Sequence, residues 1–161
     1  ASLIEENDLV YLDAGTTIDF MIPHLNQKRA VFVTNSVLHA RKLAQSDCKV
    51  YILAGEFKAA TDAIVGEQAI SSLEQYNFTK GFFGTNGITE KNGLTTPDIR
   101  EALLKKAAIS NCQKVYVLAD HSKFGVISSA TFAHIKGGTI LTDEIKEQMW
   151  KKYKNVKEVT K

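Results

Sequence analysis

The sequence predicts an α/β fold of the Rossmann-like, doubly wound kind with a mainly parallel sheet. Three observations predict it. Short apolar runs of strand length alternate with stretches whose apolar residues recur at three and four spacing. Small polar and glycine residues gather where those runs end. The chain has 161 residues, near the roughly 100 to 150 of a common domain, so residues 1–161 are expected to form one unit with a proper core.

The expected strands are Leu9 to Leu12, Ala30 to Val33, Val50 to Leu53, Gly81 to Phe83 and Val115 to Ala119. Each is short and almost wholly apolar, as a strand buried on both faces should be. Helices are expected near Thr17 to Leu25, Val37 to Ala44, Gly66 to Leu73 and Ile99 to Ser110, where an apolar stripe runs at helical period. Strand followed by helix, repeated, implies parallel strands joined by right-handed crossovers, with helices on both faces of the sheet. From Phe124 to Gly138 the pattern weakens. A late unit then reads as strand Thr139 to Leu141, a helix from Asp143 to about Lys152, and strand Val156 to Val159.

Composition removes several function classes. Hydrophobic residues make up 44% and charged residues 24%, which leaves no tract polar enough to stay unfolded. The longest apolar run is strand-sized, far below the roughly 20 residues of a bilayer span, so no membrane contact is expected. A net charge of +2, spread along the chain, offers no field for gripping a phosphate backbone. The basic run Lys151, Lys152, Lys154, Lys157 alternates with Trp150, Tyr153, Val156 and Val159, which fits a solvated face. The start at Ala1, with no signal-like segment, leads to the expectation of a cytoplasmic chain cut from a longer one. Cys48 and Cys112 are expected as separate buried or half-buried thiols. No P-loop or G-x-G-x-x-G fingerprint occurs, and the four histidines have no cysteines at ligand spacing, so neither metal nor cofactor is expected.

In open α/β sheets the ligand lies beyond the carboxyl ends of the strands, so the residues there matter most. The first strand ends in Asp13-Ala14-Gly15-Thr16-Thr17, where backbone N–H groups and a helix start suit an anion. The second ends in Thr34-Asn35-Ser36. Ordinary N-capping explains either one alone. The fourth ends in Gly84-Thr85-Asn86-Gly87, followed by a Gly93 to Asp98 turn into a helix with Glu101 and Lys105. That pair, four apart, reads by itself as a helical ion pair worth about 0.3 to 0.5 kcal/mol. The fifth ends in Asp120-His121-Ser122-Lys123, and capping leaves Lys123 without a role. Together these ends form a cleft suited to a sugar phosphate: hydroxyls to pair and one dianion to neutralise.

The same residues carry a family resemblance. Asp13-Ala14-Gly15-Thr16-Thr17, Thr34-Asn35, Gly84 with Asn86-Gly87-Ile88, Gly93-Leu94-Thr95-Thr96, Glu101-Ala102 with Lys105, and Ala119 to Gly125 resemble, in order and spacing, the C-terminal sensor domain of DeoR-type repressors. The resemblance covers about Leu3 to Thr142. It implies a fold similar to ribose-5-phosphate isomerase, a sugar-phosphate effector, a homo-oligomer (dimer or tetramer), and operator DNA read only by an N-terminal helix-turn-helix that is not in this sequence. Carried over residue by residue, Asp13, Gly15, Thr16, Thr17, Asn35, Asn86, Gly87, Glu101, Lys105, Asp120 and Lys123 would line the effector cleft, with Lys105 or Lys123 meeting the phosphate. Two positions depart from the family pattern: Ala54-Gly55 stands where a Gly-Gly pair is common, and Thr79 where an acid is. The Thr95-Thr96-Pro97-Asp98 stretch looks most like the fructose-operon and lactose-operon branches, which points to fructose 1-phosphate first and tagatose 6-phosphate second.

Two rival readings follow from the same residues. Asp120, Glu101 and Lys105 are types able to move a proton between carbons, as a sugar-phosphate isomerase on this fold would. Alternatively, the polar strand ends are plain caps in an oligomerisation domain, with Asp120 paired to Lys123 over a sealed cleft.

Overall fold

The computed structural model describes residues 1–159. Its centre is a seven-stranded parallel sheet. In chain order the strands are β1 (Leu9–Leu12), β2 (Val31–Thr34), β3 (Lys49–Ile52), β6 (Phe78–Gly84), β9 (Cys112–Leu118), β11 (Thr139–Thr142) and β12 (Val156–Glu158). Across the sheet they run β12-β11-β9-β6-β1-β2-β3. The first three strands grow toward one edge and the rest toward the other, so the direction of winding reverses between β1 and β6.

Period-two alternation sorts the strand residues between two cores. Val10, Leu12, Phe32 and Phe82 face one side, where they meet Ile18 and Met21 of α1 (Thr16–Met21) and Leu43 of α2 (Val37–Gln45). Tyr11, Val33, Phe83 and Val117 face the other, against Ala69 and Leu73 of α3 (Glu67–Leu73) and Ala102, Leu104 and Ala108 of α4 (Ile99–Ser110). Each large apolar side chain fully buried this way contributes about 1.5 to 3 kcal/mol. The doubly wound expectation, its five main strands and its four helices are therefore present.

Two small antiparallel sheets were not anticipated. β4 (Glu56–Lys58) and β5 (Ala63–Val65) form a hairpin, turned by a 3-10 segment at Ala59–Thr61 and by Asp62 at a left-handed φ of 50°. Gly55 enters it at φ +138°, where a Cβ would stand 2.7 Å from the Val65 carbonyl oxygen. β7 (Gly87–Thr89), β8 (Gly93–Thr96) and β10 (Ala130–Ala133) form the other, and pack Ile88, Leu94, Ala130 and Phe132 over α4.

Three expectations are corrected. Gly93 to Thr96 is a buried strand rather than a turn, held between β7 and β10. The weak stretch after Phe124 contains β10. The helix expected from Asp143 to Lys152 reduces to a 3-10 turn at Gln148–Lys152. There the N–H of Glu144 is taken by the Asp143 carboxylate and that of Ile145 by Glu158, while Trp150 is driven into the core against Phe124. Tertiary partners override local periodicity at that point. Cys48 is buried, Cys112 half-buried, and both are unpaired. Among the described residues no helix is long and apolar enough to cross a membrane.

Candidate functional site

The reversal of winding between β1 and β6 opens a crevice beyond their carboxyl ends, where doubly wound sheets bind ligands. Asp13, one residue past β1, is tied to β6 in both directions. Its N–H donates to the Phe82 carbonyl at 3.0 Å, and its Oδ2 accepts from the Gly84 N–H at 3.0 Å. The Lys105 ammonium, from α4, closes on the same carboxylate, donates to the Gly84 carbonyl at 3.2 Å and lies 5.4 Å from the Phe132 ring centre. Both partners are buried. Burial pushes the Asp13 carboxyl up, and the Lys105 ammonium and the Gly84 N–H pull it back.

Above this floor lies an open cavity of about 510 Å³, within the range of small-molecule sites. Its lining includes Gly15, Thr16, Thr17, Asn86, Glu101, Lys105 and Lys123. These come from the ends of β1, β6 and β9 and from α4, so one crevice gathers residues as far apart in the chain as Gly15 and Lys123. The other four residues expected in the cleft are elsewhere. Asp13 sits behind Lys105. Asn35 is buried, accepts from the Ala14 N–H at 2.8 Å and donates to the Ile64 carbonyl at 3.3 Å, bracing the β1 loop against the hairpin. Gly87 is buried beneath Asn86, where a Cβ would stand 2.3 Å from the Val126 carbonyl oxygen. Asp120 lies on a neighbouring apolar groove and accepts from the Ser122 N–H at 2.8 Å and from the Ser122 hydroxyl, which holds its carboxyl below the usual range.

The expected Glu101–Lys105 helical pair does not form. Lys105 turns inward to Asp13, while Glu101 turns to the hairpin and accepts from Lys58 at 2.9 Å and Thr61 at 2.7 Å. Desolvated Asp13 has the stronger need for a cation, and an exposed i,i+4 contact is too weak to compete. Lys58 also donates to Asp98 at 2.7 Å. These contacts raise the Lys58 ammonium and lower the Asp98 carboxyl, whose other oxygen caps α4 through the N–H groups of Arg100 and Glu101.

Sequence reasoning missed the hairpin wall of the cleft, Lys58 to Ala63. Three-residue strands carry no period, so no local signal marked it. It also missed how the end of β2 is used. Ser36 caps α2 by accepting from the His39 N–H at 3.0 Å, and Asp62 reaches over from the hairpin to accept from the Ser36 hydroxyl at 2.5 Å and the Leu38 N–H at 2.9 Å. An internal carboxylate thus occupies the start of α2, and plain capping accounts for that strand end. The start of α1 differs. Gly15 supplies no side-chain cap, and the N–H groups of a helix's first turn have no partner within the helix. Lys123 makes no ion pair among the described residues, and no cluster of His, Cys, Asp and Glu there could hold a metal.

Known proteins share the fold and the family signature of this chain. Among solved structures, ribose 5-phosphate isomerase A from Neisseria gonorrhoeae superposes with a TM-score of 0.56 at 20% identity, over 78% of this chain and 49% of that one. The eIF2B delta subunit from Chaetomium thermophilum gives 0.59 at 16%, over 86% and 50%. Identities this low establish the fold alone. Among curated relatives, the HTH-type transcriptional regulator FruR of Bacillus subtilis is 46% identical over 95% of this chain and 61% of its own length. The lactose phosphotransferase system repressor of Staphylococcus aureus is 31% identical over 92% and 60%. The chain thus spans about three fifths of the length of these relatives, which are transcriptional regulators. A family model described as the DeoR C terminal sensor domain matches residues 1–144, and the chain belongs to that family.

Proposed function

We propose that this chain is the effector-sensing unit of a DeoR-type repressor of a carbohydrate operon, and that it binds a phosphorylated sugar in the crevice between β1 and β6 without transforming it. The observation that carries the reading is the convergence of Thr16, Asn86 and Lys123 on one open cavity. A phosphate there meets the N–H groups of the Gly15 to Thr17 turn and the Lys123 ammonium, a compact cation suited to it. Lys105 is neutralised by Asp13 and acts as floor rather than phosphate ligand. The Asn86 amide, whose oxygen accepts from Thr96 at 3.1 Å, keeps its NH₂ for a sugar hydroxyl, and Glu101 offers a carboxylate beside it. Fructose 1-phosphate is the first effector to test and tagatose 6-phosphate the second.

The isomerase reading is disfavoured by the state of the carboxylates. Of the residues that reading needs, Lys105 is bound to Asp13, Glu101 accepts from Lys58 and Thr61, and Asp120 accepts from Ser122 on a neighbouring groove, so the three do not meet around one substrate carbon. An Asp120–Lys123 pair over a sealed cleft would have supported the oligomerisation reading; Asp120 pairs with Ser122 instead. In the full-length repressor, effector binding shifts DNA affinity by its preference between two conformations, typically about 1 to 3 kcal/mol. DNA is read by a helix-turn-helix segment that this sequence does not include, within a homo-oligomer.

Isothermal calorimetry against a panel of phosphosugars, free sugars and nucleotides tests the proposal. Phosphosugars should bind, and Lys123→Ala should weaken them roughly tenfold or more while leaving the melting temperature nearly unchanged, as expected for one charge-assisted contact worth about 1.5 to 3 kcal/mol. Binding of free sugars or nucleotides in preference, or turnover of ribose 5-phosphate, would overturn it.

A further inference from the structure

His39, on α2, forms part of the wall of the same cleft and is only 2% exposed. Its Nε2 lies 3.8 Å from Asp19 Oδ1, beyond hydrogen-bond reach, and both Asp19 oxygens accept from Lys42, at 2.7 and 2.8 Å. Its Nδ1 is buried and has no hydrogen-bond partner among the described residues. An imidazolium needs acceptors for two N–H groups, and the described residues supply neither at bonding distance. The ring is therefore neutral there, in the one form that tolerates a bare Nδ1. Burial holds it below the usual histidine range.

The surroundings are nonetheless built for a cation. Asp19 on α1, Asp13 past β1 and Asp62 on the hairpin all favour the charged ring, and Lys42 on its own helix opposes it. Desolvation is the largest of these influences, so burial outweighs three carboxylates. A phosphate dianion entering the cavity adds further negative potential in a place of low dielectric. Lys123 alone matches only one of its two charges.

We propose that His39 balances the second charge of the effector's phosphate, taking up a proton from solvent as the phosphosugar enters and so becoming part of the binding site. The inference rests on the phosphosugar reading above. Its balance is simple: one proton leaves buffer, the imidazole becomes imidazolium, and no covalent bond of the sugar changes. By linkage, whatever factor the ligand adds to the proton affinity of His39 is returned as tighter ligand binding to the protonated protein.

The test is an NMR pH titration of the four histidine rings of the wild-type chain, free and saturated with fructose 1-phosphate, tagatose 6-phosphate or inorganic phosphate. The His39 resonance should titrate below pH 6.5 in the free protein and rise by about one unit or more when a phosphosugar binds, a tenfold gain in proton affinity. Calorimetry in buffers of different ionisation enthalpy gives a second readout. Wild type should take up roughly half a proton more per ligand than His39→Gln at a pH between the two His39 values, the difference cancelling the phosphate's own titration. Phosphosugar binding with an unmoved His39 titration overturns the inference and leaves the sensor reading intact. No binding by any phosphosugar overturns both. A shift produced equally by inorganic phosphate assigns the effect to the phosphate, as proposed; one absent with phosphate and present with unphosphorylated fructose overturns it.

Discussion

Replacing Lys105 by Met tests the ion pair on which the cleft floor rests. Met keeps most of the side chain's length and apolar stem while removing the ammonium, leaving the Asp13 carboxylate, 2% exposed, with the Gly84 N–H as its remaining hydrogen-bond donor. Removing one partner of a buried pair typically costs about 3 to 5 kcal/mol. A bound follows from proton chemistry, because the stranded carboxyl can escape by protonating. From an ordinary value near 3.9, that costs about 4 kcal/mol at pH 7 and close to nothing at pH 4, roughly 1.4 kcal/mol per unit. The loss of stability should therefore be about 3 to 4 kcal/mol at pH 7 and should shrink as pH falls. The sign follows from the raised folded value: the folded variant holds its proton more tightly than the unfolded chain, so its relative stability is greatest at low pH and is lost as pH rises. Urea denaturation of wild type, Lys105→Met and the Asp13→Asn/Lys105→Met double variant at several pH values measures this. The double variant should lose less than the single one at pH 7. A single variant within about 1 kcal/mol of wild type at pH 7, or a deficit that grows on acidification, would refute the reasoning.

Three further outcomes follow from particular contacts. The Tyr11 hydroxyl is wholly buried without a partner among the described residues, while its ring packs 5.3 Å from Phe78 and 5.4 Å from Phe83. Tyr11→Phe should be neutral or gain about 1 kcal/mol in chemical denaturation, and a loss of that size would mean the hydroxyl is bonded. Gly87→Ala should cost about 1 to 3 kcal/mol and lower the melting temperature, since its Cβ meets the Val126 carbonyl oxygen at 2.3 Å and Thr95 Oγ1 at 2.7 Å. A wild-type melting curve would mean that β7 shifts freely. The Asp143 carboxyl, bonded to the His121 ring at 2.9 Å and its N–H at 2.7 Å, is held at about 2 and should show that midpoint by carboxyl NMR. Stability tied to it is present above the ordinary carboxylate range and lost as pH falls toward 2.

The parts of this molecule that could be read from sequence are those with a local physical cause. The strands β1 and β2, and β6 at Phe82-Phe83, are apolar on both sides because both faces are covered, and the three and four spacing of its apolar residues marks α4. The hairpin around Lys58 could not be read, because three-residue strands have no period and are defined by pairing. Nor could the partners of Glu101 and Lys105. Helical spacing places the two side chains near each other, yet the desolvated Asp13, 92 residues from Lys105, decides where that ammonium goes.

Sequence alone determined the class of fold, the alternation of element types and the gathering of small polar residues at the strand ends, since backbone sterics and apolar periodicity act within a few residues. It also carried the family signature. Only the tertiary structure decided which of those polar residues share a cavity. It sent Thr16, Asn86 and Lys123 into the crevice, turned Asp120 onto its own loop, used Asn35 and Ser36 as braces, and placed His39 on the wall with its Nδ1 unbonded among the described residues. The reason is that hydrogen bonds and charges in a desolvated site are settled by whichever partner the chain's winding brings within about 3 Å, and that distance is not written in sequence separation.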